Sequence, residues 1–171
     1  NHVEVIEGGV EVSQNLLSKK WDYIFFTGSV AVGKIVAKAA AEHMTPVTLE
    51  LGGKNPCIID ETANIKLAAK RIVWGKFINA GQTCIAPDYL LVQKDIKSDL
   101  IEHLKQEITS AYSDDPEVSP DYTRIVNTRY WDRFKSLIEH EKVLFGGQSN
   151  SEDCYLAPTL IEETTMDSLV M

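Results

Sequence analysis

The segment FINAGQTCIAPDY (residues 77–89) places one cysteine, Cys84, behind Gly-Gln-Thr and ahead of a Pro-Asp turn. Free cysteines are more often inert core residues than nucleophiles. Small and polar neighbours such as Gly81, Gln82 and Thr83 do not line a core, however. A loop thiol among free N–H groups can be held partly as thiolate, and the same N–H groups can stabilise an oxyanion. Cys84 is therefore a candidate nucleophile, and an inert structural thiol is the alternative.

A carboxylate, Glu50, lies near the end of the apolar segment VTLEL, just before Gly52-Gly53. A charged group in such a position is costly unless it is solvated, paired or used. Glu50 could bind a ribose hydroxyl, because it follows a glycine turn by about 20 residues, as in the Rossmann pattern. It could also be a general base in a partly buried setting, or an ordinary exposed glutamate at the end of a strand.

That glycine turn lies in FFTGSVAVGKI (residues 25–35), where Gly28 and Gly33 separate a predicted strand from a predicted helix. The N–H groups that begin a helix, together with its dipole, can bind a phosphate. The third position of the turn is Val30, so the segment is not the G-x-G-x-x-G fingerprint of dinucleotide-binding proteins.

The same turn matches the P-loop pattern G-x-x-x-x-G-K through Gly28, Gly33 and Lys34. A P-loop continues with Ser or Thr to hold magnesium, and this chain has Ile35, whose alkyl group cannot ligate a cation. The segment CIIDE (residues 57–61) nevertheless resembles the apolar strand whose Asp, here Asp60, holds a nucleotide-bound magnesium. A P-loop nucleotide hydrolase is therefore the second candidate function.

Composition excludes several other classes. The 171 residues carry a formal net charge of −8 without a long block of Lys and Arg, which disfavours nucleic acid as a partner. No apolar run approaches the roughly 20 residues that span a bilayer, and the first residues do not resemble a secretion signal. The three cysteines form no C-x-x-C pair and the four histidines are scattered, so we expect no metal site and a reduced, cytoplasmic setting.

Strand and helix patterns alternate along the chain, which predicts an α/β fold with a parallel sheet flanked by helices. Strands are predicted at VEVIEGG (3–9), WDYIFFTGS (21–29), VTLEL (47–51), PCIID (56–60), YLLVQ (89–93), KVLFGG (142–147) and within YLAPTLIEET (155–164). Helices are predicted over residues 10–20, 30–44, 96–112 and around 130–140, and one more begins after Asn64 as its N-cap.

Three motifs in order, FTGSVAVG, VTLELGGKNP and FINAGQTC, closely resemble the aldehyde dehydrogenase superfamily. The phrases TPVTLELGGK, WGKF and GQTCIAPDY look most like its class 3 branch. The resemblance covers essentially the whole chain. It implies a Rossmann-like α/β architecture, with the C-terminal part of an NAD(P)-binding domain in residues 1–53 and most of a catalytic domain in residues 54–171.

The resemblance also implies a role for each candidate residue. Cys84 matches the nucleophile that forms a thiohemiacetal and then a thioester, and Glu50 matches the general base, not a ribose ligand. Hydride passes to NAD or NADP, so an aldehyde becomes a carboxylic acid. The loop beside the nicotinamide and diphosphate corresponds to Gly28, Ser29, Val30, Ala31, Val32 and Gly33.

Other family segments are expected outside these residues. The resemblance implies an oxyanion-hole asparagine in a P-W-N segment and adenosine-ribose contacts upstream, and an E-E-x-F-G-P motif after Met171. We therefore expect a central piece of a longer enzyme that is not efficient alone. The class 3 likeness implies a homodimeric parent and apolar aldehydes as small-molecule substrates. A non-catalytic module of dehydrogenase ancestry, with an unreactive Cys84, is the remaining alternative.

Overall fold

Strands and helices alternate along the chain in the computed structural model, which describes residues 2–162 and 164–171. The chain divides into two compact units, Asn1–Gly53 and Lys54–Met171, and each is described by itself. Both units combine strands with helices, which confirms the α/β class. The assignment of the first unit to cofactor binding and of the second to catalysis stays a prediction.

The first unit is built around one strand–helix–strand repeat. After helix α1 (Val10–Leu17), strand β1 (Ile24–Gly28) leads into helix α2 (Val30–Glu42), and strand β2 (Val47–Leu51) follows. The strands β1 and β2 run parallel, with Gly28 opposite Leu51. Helix α2 contacts both strands and buries Val36 and Ala40. The two strands therefore end at the same edge of the pair, next to the start of α2.

Two predictions for this unit need correction. The segment 3–9 forms no strand: Val3 and Val5 are 82% and 80% exposed, and no described strand pairs with them. Alternating apolar residues favour a strand only where a partner supplies the ladder hydrogen bonds. The strand predicted over residues 21–29 is shorter in the structure, Ile24–Gly28, and its Phe25 is 67% exposed, because the unit covers only one face of this pair.

Among its described residues, the second unit contains two parallel and four antiparallel strands. Its parallel pair joins β3 (Asn55–Ile59) to β4 (Pro87–Val92). Antiparallel pairs join β5 (Lys142–Phe145) to β8 (Leu160–Glu162) and β6 (Ser149–Asn150) to β7 (Tyr155–Leu156). With β1–β2 of the first unit, the described strands form four pairs, of which β1–β2 and β3–β4 are parallel, and Glu163 of the predicted last strand lies outside the described residues.

Three described α-helices, α3 (Ile65–Phe77), α4 (Lys97–Tyr112) and α5 (Thr128–Ile138), and two short 3-10 helices, Ile78–Gly81 and Lys94–Ile96, complete this unit. The predicted N-cap of α3 is confirmed, since the Asn64 side chain accepts a hydrogen bond from the Leu67 N–H at 3.0 Å. Helices α3 and α4 pack together, and their inner faces form the core with residues such as Ala69, Leu100 and Ile108.

A row of aromatic rings continues that core towards the end of the chain. Phe77, Tyr112, Tyr122 and Tyr155 follow one another edge to face, with ring centroids 6.4, 5.0 and 6.2 Å apart. Such contacts are favoured by the quadrupoles of the rings. The row ties the end of α3, just before the cysteine-bearing segment, to the loops that follow α4.

Candidate active site

The glycine turn is the first element of the candidate site, and the helix after it begins with an ordered cap. Gly28 ends β1, and the Ser29 Oγ accepts a hydrogen bond from the Val32 N–H at 3.3 Å. The Gly33 N–H donates to the Ser29 carbonyl oxygen at 2.8 Å. The first turn of α2 has no acidic residue. The positive end of this helix dipole is therefore free to attract an anion.

Gly33 allows close packing between α2 and β2. It is buried, and a Cβ there would lie 2.8 Å from the Leu51 Cδ2 and 3.3 Å from its Cδ1. Helix α2 and strand β2 could not keep this separation with a larger residue unless Leu51 moved. The second glycine of the motif therefore has a structural reason that is independent of any ligand.

This turn suits the diphosphate and nicotinamide of NAD or NADP. The helix N-terminus supplies backbone N–H donors for phosphate oxygens, and the exposed side chains of Val30 and Val32 supply apolar surface for a flat ring. A magnesium nucleotide fits less well, because the exposed alkyl side chain of Ile35 stands where a P-loop hydroxyl is needed. The residues present therefore fit a dinucleotide better than a P-loop substrate.

Asp60 lends no support to the P-loop alternative. Its carboxylate oxygen Oδ1 accepts hydrogen bonds from the Thr62 Oγ1 at 2.6 Å and from the Thr62 N–H at 2.9 Å. These bonds lower the pKa of Asp60. The residue follows β3, which pairs with β4, whereas the glycine turn follows β1 of the other unit. Asp60 thus closes a local turn at the end of its strand.

Glu50 lies beside the glycine turn. It is the direct partner of Thr27 in the register of β1 and β2, one residue before Gly28 pairs with Leu51. Its side chain is exposed in this unit, so its charge carries no burial cost. The structure therefore brings Glu50 and the loop from Gly28 to Gly33 together at one edge, whereas Cys84 lies in the other unit.

Cys84 lies in the turn between α3 and β4 and is exposed. The other two cysteines, Cys57 and Cys154, are half-buried. Cys57 packs against the core, as expected for a structural thiol, and burial raises its pKa. Because the thiolate is the reactive form and needs access, Cys84 is the best placed of the three to react.

The chain reaches Cys84 through an uncommon backbone turn. Three successive residues, Asn79, Ala80 and Gly81, have positive φ angles of 54°, 51° and 78°. Only glycine adopts this left-handed region without cost. A Cβ on Gly81 would also lie 3.1 Å from the Lys76 carbonyl oxygen. The sequence Asn-Ala-Gly thus ends α3 sharply and redirects the chain before the cysteine.

Asn55, the first residue of β3, holds the other side of the cysteine turn. Its Nδ2 donates to the carbonyl oxygens of Cys84 at 2.8 Å and of Ala86 at 3.0 Å. Its own N–H donates to the Asp88 Oδ2 at 3.0 Å, and the Asp88 Oδ1 lies 3.3 Å from the Lys76 Nζ. The Asn55 side chain therefore bonds the cysteine turn to β3, and the Asp88 carboxylate links the starts of β3 and β4.

The backbone N–H of Cys84 points to the chemistry available here. Among the described residues, none accepts a hydrogen bond from it. An exposed thiol next to an available N–H can add to a carbonyl carbon while that N–H stabilises the oxygen that becomes negative. The arrangement suits acyl transfer or carbonyl addition.

Sequence reasoning did not identify Asn55 and Asp88 as parts of this site. Both stand next to a proline at the start of a strand, in Asn55-Pro56 and Pro87-Asp88, and Asn55 and Pro87 are register partners. A polar residue at a strand start beside proline is a weak signal, because such residues also begin ordinary strands. Only the pairing of β3 with β4 brings the two together.

Two kinds of feature are absent from the described residues, a metal-binding cluster and a membrane-spanning helix. In that part of the chain, no group of three or more His, Cys, Asp or Glu side chains could hold a metal ion. Nor does any described helix combine the length and the apolar character that crossing a membrane requires.

Known proteins with sequences similar to this chain are named as aldehyde dehydrogenases. The chain is 51% identical to 4,4'-diaponeurosporen-aldehyde dehydrogenase of Staphylococcus aureus (strain NCTC 8325 / PS 47), over 100% of this chain and 38% of that protein. It is 47% identical to a Rattus norvegicus protein named aldehyde dehydrogenase, dimeric NADP-preferring, over 98% of this chain and 37% of that protein. The chain thus spans little more than a third of these relatives.

The fold agrees with a solved structure, described as the substrate-bound state of Staphylococcus aureus AldH. The TM-score is 0.94 at 51% identity, and the match covers 98% of this chain and 37% of that one. The family description that matches residues 1–171 is the aldehyde dehydrogenase family. With the whole chain matched, and with relatives of nearly half identical sequence, this protein belongs to the aldehyde dehydrogenase family.

Proposed function

We propose that this chain carries the nucleophile, the general base and part of the cofactor site of an enzyme that oxidises an aldehyde to a carboxylic acid with NAD or NADP. The observation that carries the proposal is the exposed Cys84 on a hydrogen-bonded turn beside an available backbone N–H. Membership of the aldehyde dehydrogenase family supports it. Because the chain spans little more than a third of its relatives, the activity is proposed for the complete gene product.

The first step belongs to Cys84. Its thiolate sulfur adds to the aldehyde carbon, a C–S bond forms, and the carbonyl π electrons move to the oxygen. The backbone N–H of the same residue, Cys84, lies close to the sulfur and can donate a hydrogen bond to this oxyanion. The product is a thiohemiacetal on the enzyme. Exposure of the thiol, together with a fixed turn, is the property that this step needs.

In the oxidation step the thiohemiacetal carbon gives up its hydrogen as a hydride and becomes the carbonyl carbon of a thioester, and NAD or NADP, when bound, would accept the hydride. The residues that would hold the cofactor are those of the turn from Gly28 to Gly33. Their contribution is the positive end of α2, whose first turn has no acidic residue and which attracts phosphate oxygens, and the exposed side chains of Val30 and Val32. The name of the NADP-preferring relative supports a nicotinamide dinucleotide as cofactor.

The last step belongs to Glu50. Its carboxylate takes a proton from a water molecule, and the water oxygen attacks the thioester carbon. The C–S bond then breaks, the carboxylic acid leaves, and the Cys84 thiolate is regenerated. The solvent-exposed position of Glu50 at the end of β2 supports this role, because a general base for hydrolysis must reach water.

We propose that residues 1–53 end the NAD(P)-binding domain and that residues 54–171 belong to the catalytic domain. The name of the dimeric relative supports a homodimer, and the name of the Staphylococcus aureus relative supports a small-molecule aldehyde as substrate. A cytoplasmic setting stays a prediction from the unpaired cysteines.

The test uses the complete gene product and three variants, Cys84→Ala, Glu50→Gln and the control Cys154→Ala. With aldehyde and cofactor present, Glu50→Gln should accumulate an acyl adduct that intact mass spectrometry detects, because hydrolysis is slow. Cys84→Ala should form none, and Cys154→Ala should behave as the wild type. An acyl adduct on Cys84→Ala, or normal turnover by it, would contradict the assignment.

The competence of residues 1–171 alone is a separate proposal. These residues supply Cys84 and Glu50 but only one loop of the expected cofactor site, so we expect no efficient turnover from them. Absorbance at 340 nm during incubation with a simple aldehyde and NAD or NADP measures this. Rates typical of a dehydrogenase from the 171-residue chain would show that the site is complete within it.

A further inference from the structure

The side chain of Gln82 pairs with backbone as a strand residue does. Its Nε2 donates to the Arg124 carbonyl oxygen at 3.1 Å, and its Oε1 accepts from the Val126 N–H at 3.0 Å. The same Nε2 also donates to the Asn79 carbonyl oxygen at 3.0 Å. One amide therefore connects the left-handed turn before Cys84 to a segment more than 40 positions further along the chain.

The segment that Gln82 contacts is itself anchored on several sides. The Arg124 Nε lies 2.5 Å from the Asp153 Oδ2, and the Arg124 Nη2 donates to the Glu117 carbonyl oxygen at 2.5 Å. The guanidinium carbon lies 5.1 Å from the centroid of the Tyr155 ring. The neighbouring Ile125 N–H donates to the Cys154 carbonyl oxygen at 3.0 Å. Gln82 thus attaches the turn to a fixed part of the fold.

Asn55 acts on the other side of the cysteine. Its Nδ2 bonds the carbonyl oxygens of Cys84 and Ala86, so both hydrogens of this amide are used on the turn. A further bond within the turn joins the Ala86 N–H to the Thr83 carbonyl oxygen at 3.1 Å. The cysteine therefore lies between two side-chain amides, one attached to the segment after α4 and one to β3.

The backbone before Cys84 needs such support. Asn79 and Ala80 hold positive φ angles that non-glycine residues avoid, and such conformations persist only where the surroundings fix them. Without the Gln82 amide, the bond from Nε2 to the Asn79 carbonyl oxygen is lost and the turn can relax. Cys84 lies two residues after Gln82. The positions of its sulfur and its N–H relative to each other would then no longer be fixed.

We propose that Gln82 and Asn55 are positioning residues for Cys84: their side-chain amides hold the turn so that the sulfur and its own N–H face a carbonyl group together. This inference rests on the proposed role of Cys84 as nucleophile. Neither amide takes part in the chemistry. Their effect is on the geometry of addition, where a misplacement of about 1 Å can cost on the order of 100-fold in rate.

The isosteric variants Gln82→Glu and Asn55→Asp test the proposal in the complete gene product. Each replaces an NH₂ group by an oxygen that faces carbonyl oxygens, so the bonds are lost while size is kept. We expect the rate of acyl-enzyme formation to fall about 10- to 100-fold, with KM changed less than about threefold. Gln82→Ala, which introduces no charge, should show the same split between rate and KM.

Gln93→Glu is the matched control. The Gln93 side chain also makes two bonds, accepting from the Glu61 N–H at 2.9 Å and donating to the Glu61 Oε2 at 3.0 Å, but at the opposite end of β4. The melting temperature of the Gln93→Glu variant should fall by an amount similar to that in the two test variants. Its rate of acyl-enzyme formation should stay at the wild-type value. The rate of Cys84 alkylation by iodoacetamide, followed by peptide mass spectrometry against pH, gives a second readout that requires no turnover.

The outcomes separate this inference from the proposed function. Slower acylation and an altered pH profile of Cys84 alkylation in Gln82→Glu and Asn55→Asp, but not in Gln93→Glu, would support positioning. Wild-type acylation and alkylation rates in folded Gln82→Ala and Asn55→Asp would overturn it, even where the melting temperature falls. Activity in Cys84→Ala would instead overturn the proposed function itself.

Discussion

Glu50 is the direct register partner of Thr27 in the parallel pair of β1 and β2, and the next position pairs Leu51 with Gly28. Neighbouring strands lie about 4.8 Å apart, so this register fixes the backbone of Glu50 beside the glycine turn. A carboxylate held by a strand keeps its place better than one on a loop. The candidate base and the candidate cofactor loop are therefore positioned by one short strand–helix–strand repeat.

Glu50→Gln is expected to separate acylation from hydrolysis in the complete gene product. The amide keeps the shape of the carboxylate but cannot take a proton from water, so turnover should fall about 10²- to 10⁴-fold. Acyl-enzyme formation should persist, and rapid-mixing measurements should show a burst of reduced cofactor. Glu42→Gln, an exposed change at the end of α2, serves as the control. Loss of the burst together with turnover would assign Glu50 to an earlier step.

Substitution by alanine should have opposite effects on stability at Gly81 and at Gly75. Gly81 has a φ of +78° and a close Lys76 carbonyl oxygen, so Gly81→Ala should destabilise the fold by about 1–2 kcal/mol. Gly75 lies within α3, where a Cβ would meet only the Pro87 Cδ at 3.8 Å. Gly75→Ala should therefore stabilise by about 0.5–1 kcal/mol. Urea unfolding of both variants measures this, and equal effects would contradict it.

Local patterns accounted for most of the secondary structure. The apolar spacing after Asn64 and the polar cap itself predict α3, because the N-cap bond to Leu67 joins residues three positions apart. The alternation in residues 3–9 failed as a strand signal, since a strand depends on a partner that local sequence does not reveal. The antiparallel pairs near the end of the chain escaped prediction for the same reason.

The candidate residues were recognisable from motifs, but their supports were not. Cys84 and Glu50 stand in segments with distinctive composition, and their positions in the structure follow from where strands and helices end. The Gln82 side chain meets Val126 across 44 positions and Asn55 meets Cys84 across 29. Hydrophobic periodicity carries no information about contacts at such separations, because these depend on how the elements pack.

Tyr122→Phe should destabilise the second unit by about 1–2 kcal/mol, because it removes the hydroxyl donor of a half-buried backbone carbonyl group. Tyr122 is 6% exposed, and its hydroxyl donates to the Leu156 carbonyl oxygen at 2.9 Å. Burial raises the pKa of this hydroxyl, so Tyr122 should stay protonated in alkali that ionises exposed tyrosines. Urea unfolding and ultraviolet titration measure the two effects. Tyr130→Phe, on a more exposed ring, should change stability by less than about 0.5 kcal/mol.

Glu162→Gln should remove a contribution to stability that depends on pH. The Glu162 carboxylate lies 2.5 Å from the Lys97 Nζ and 3.1 Å from the Lys142 Nζ, and hydrogen bonds from Lys97 and then Lys142 lower its pKa below the ordinary 4.5. A carboxyl whose pKa is lower in the folded than in the unfolded state stabilises the fold above the unfolded value. This contribution is lost as pH falls through the folded value.

The urea midpoint of Glu162→Gln should therefore lie below that of the wild type at pH 7, and the difference should disappear as the pH falls from about 4.5 through the lower pKa of the folded state. High salt should also reduce the difference, because the Lys97 side chain is about half exposed. Glu102→Gln is the matched control, since its carboxylate bonds Lys105 on the surface of α4 at 2.8 Å. A difference for Glu162→Gln that stays constant with pH would show that packing of the side chain, and not its charge, stabilises the β5–β8 pair.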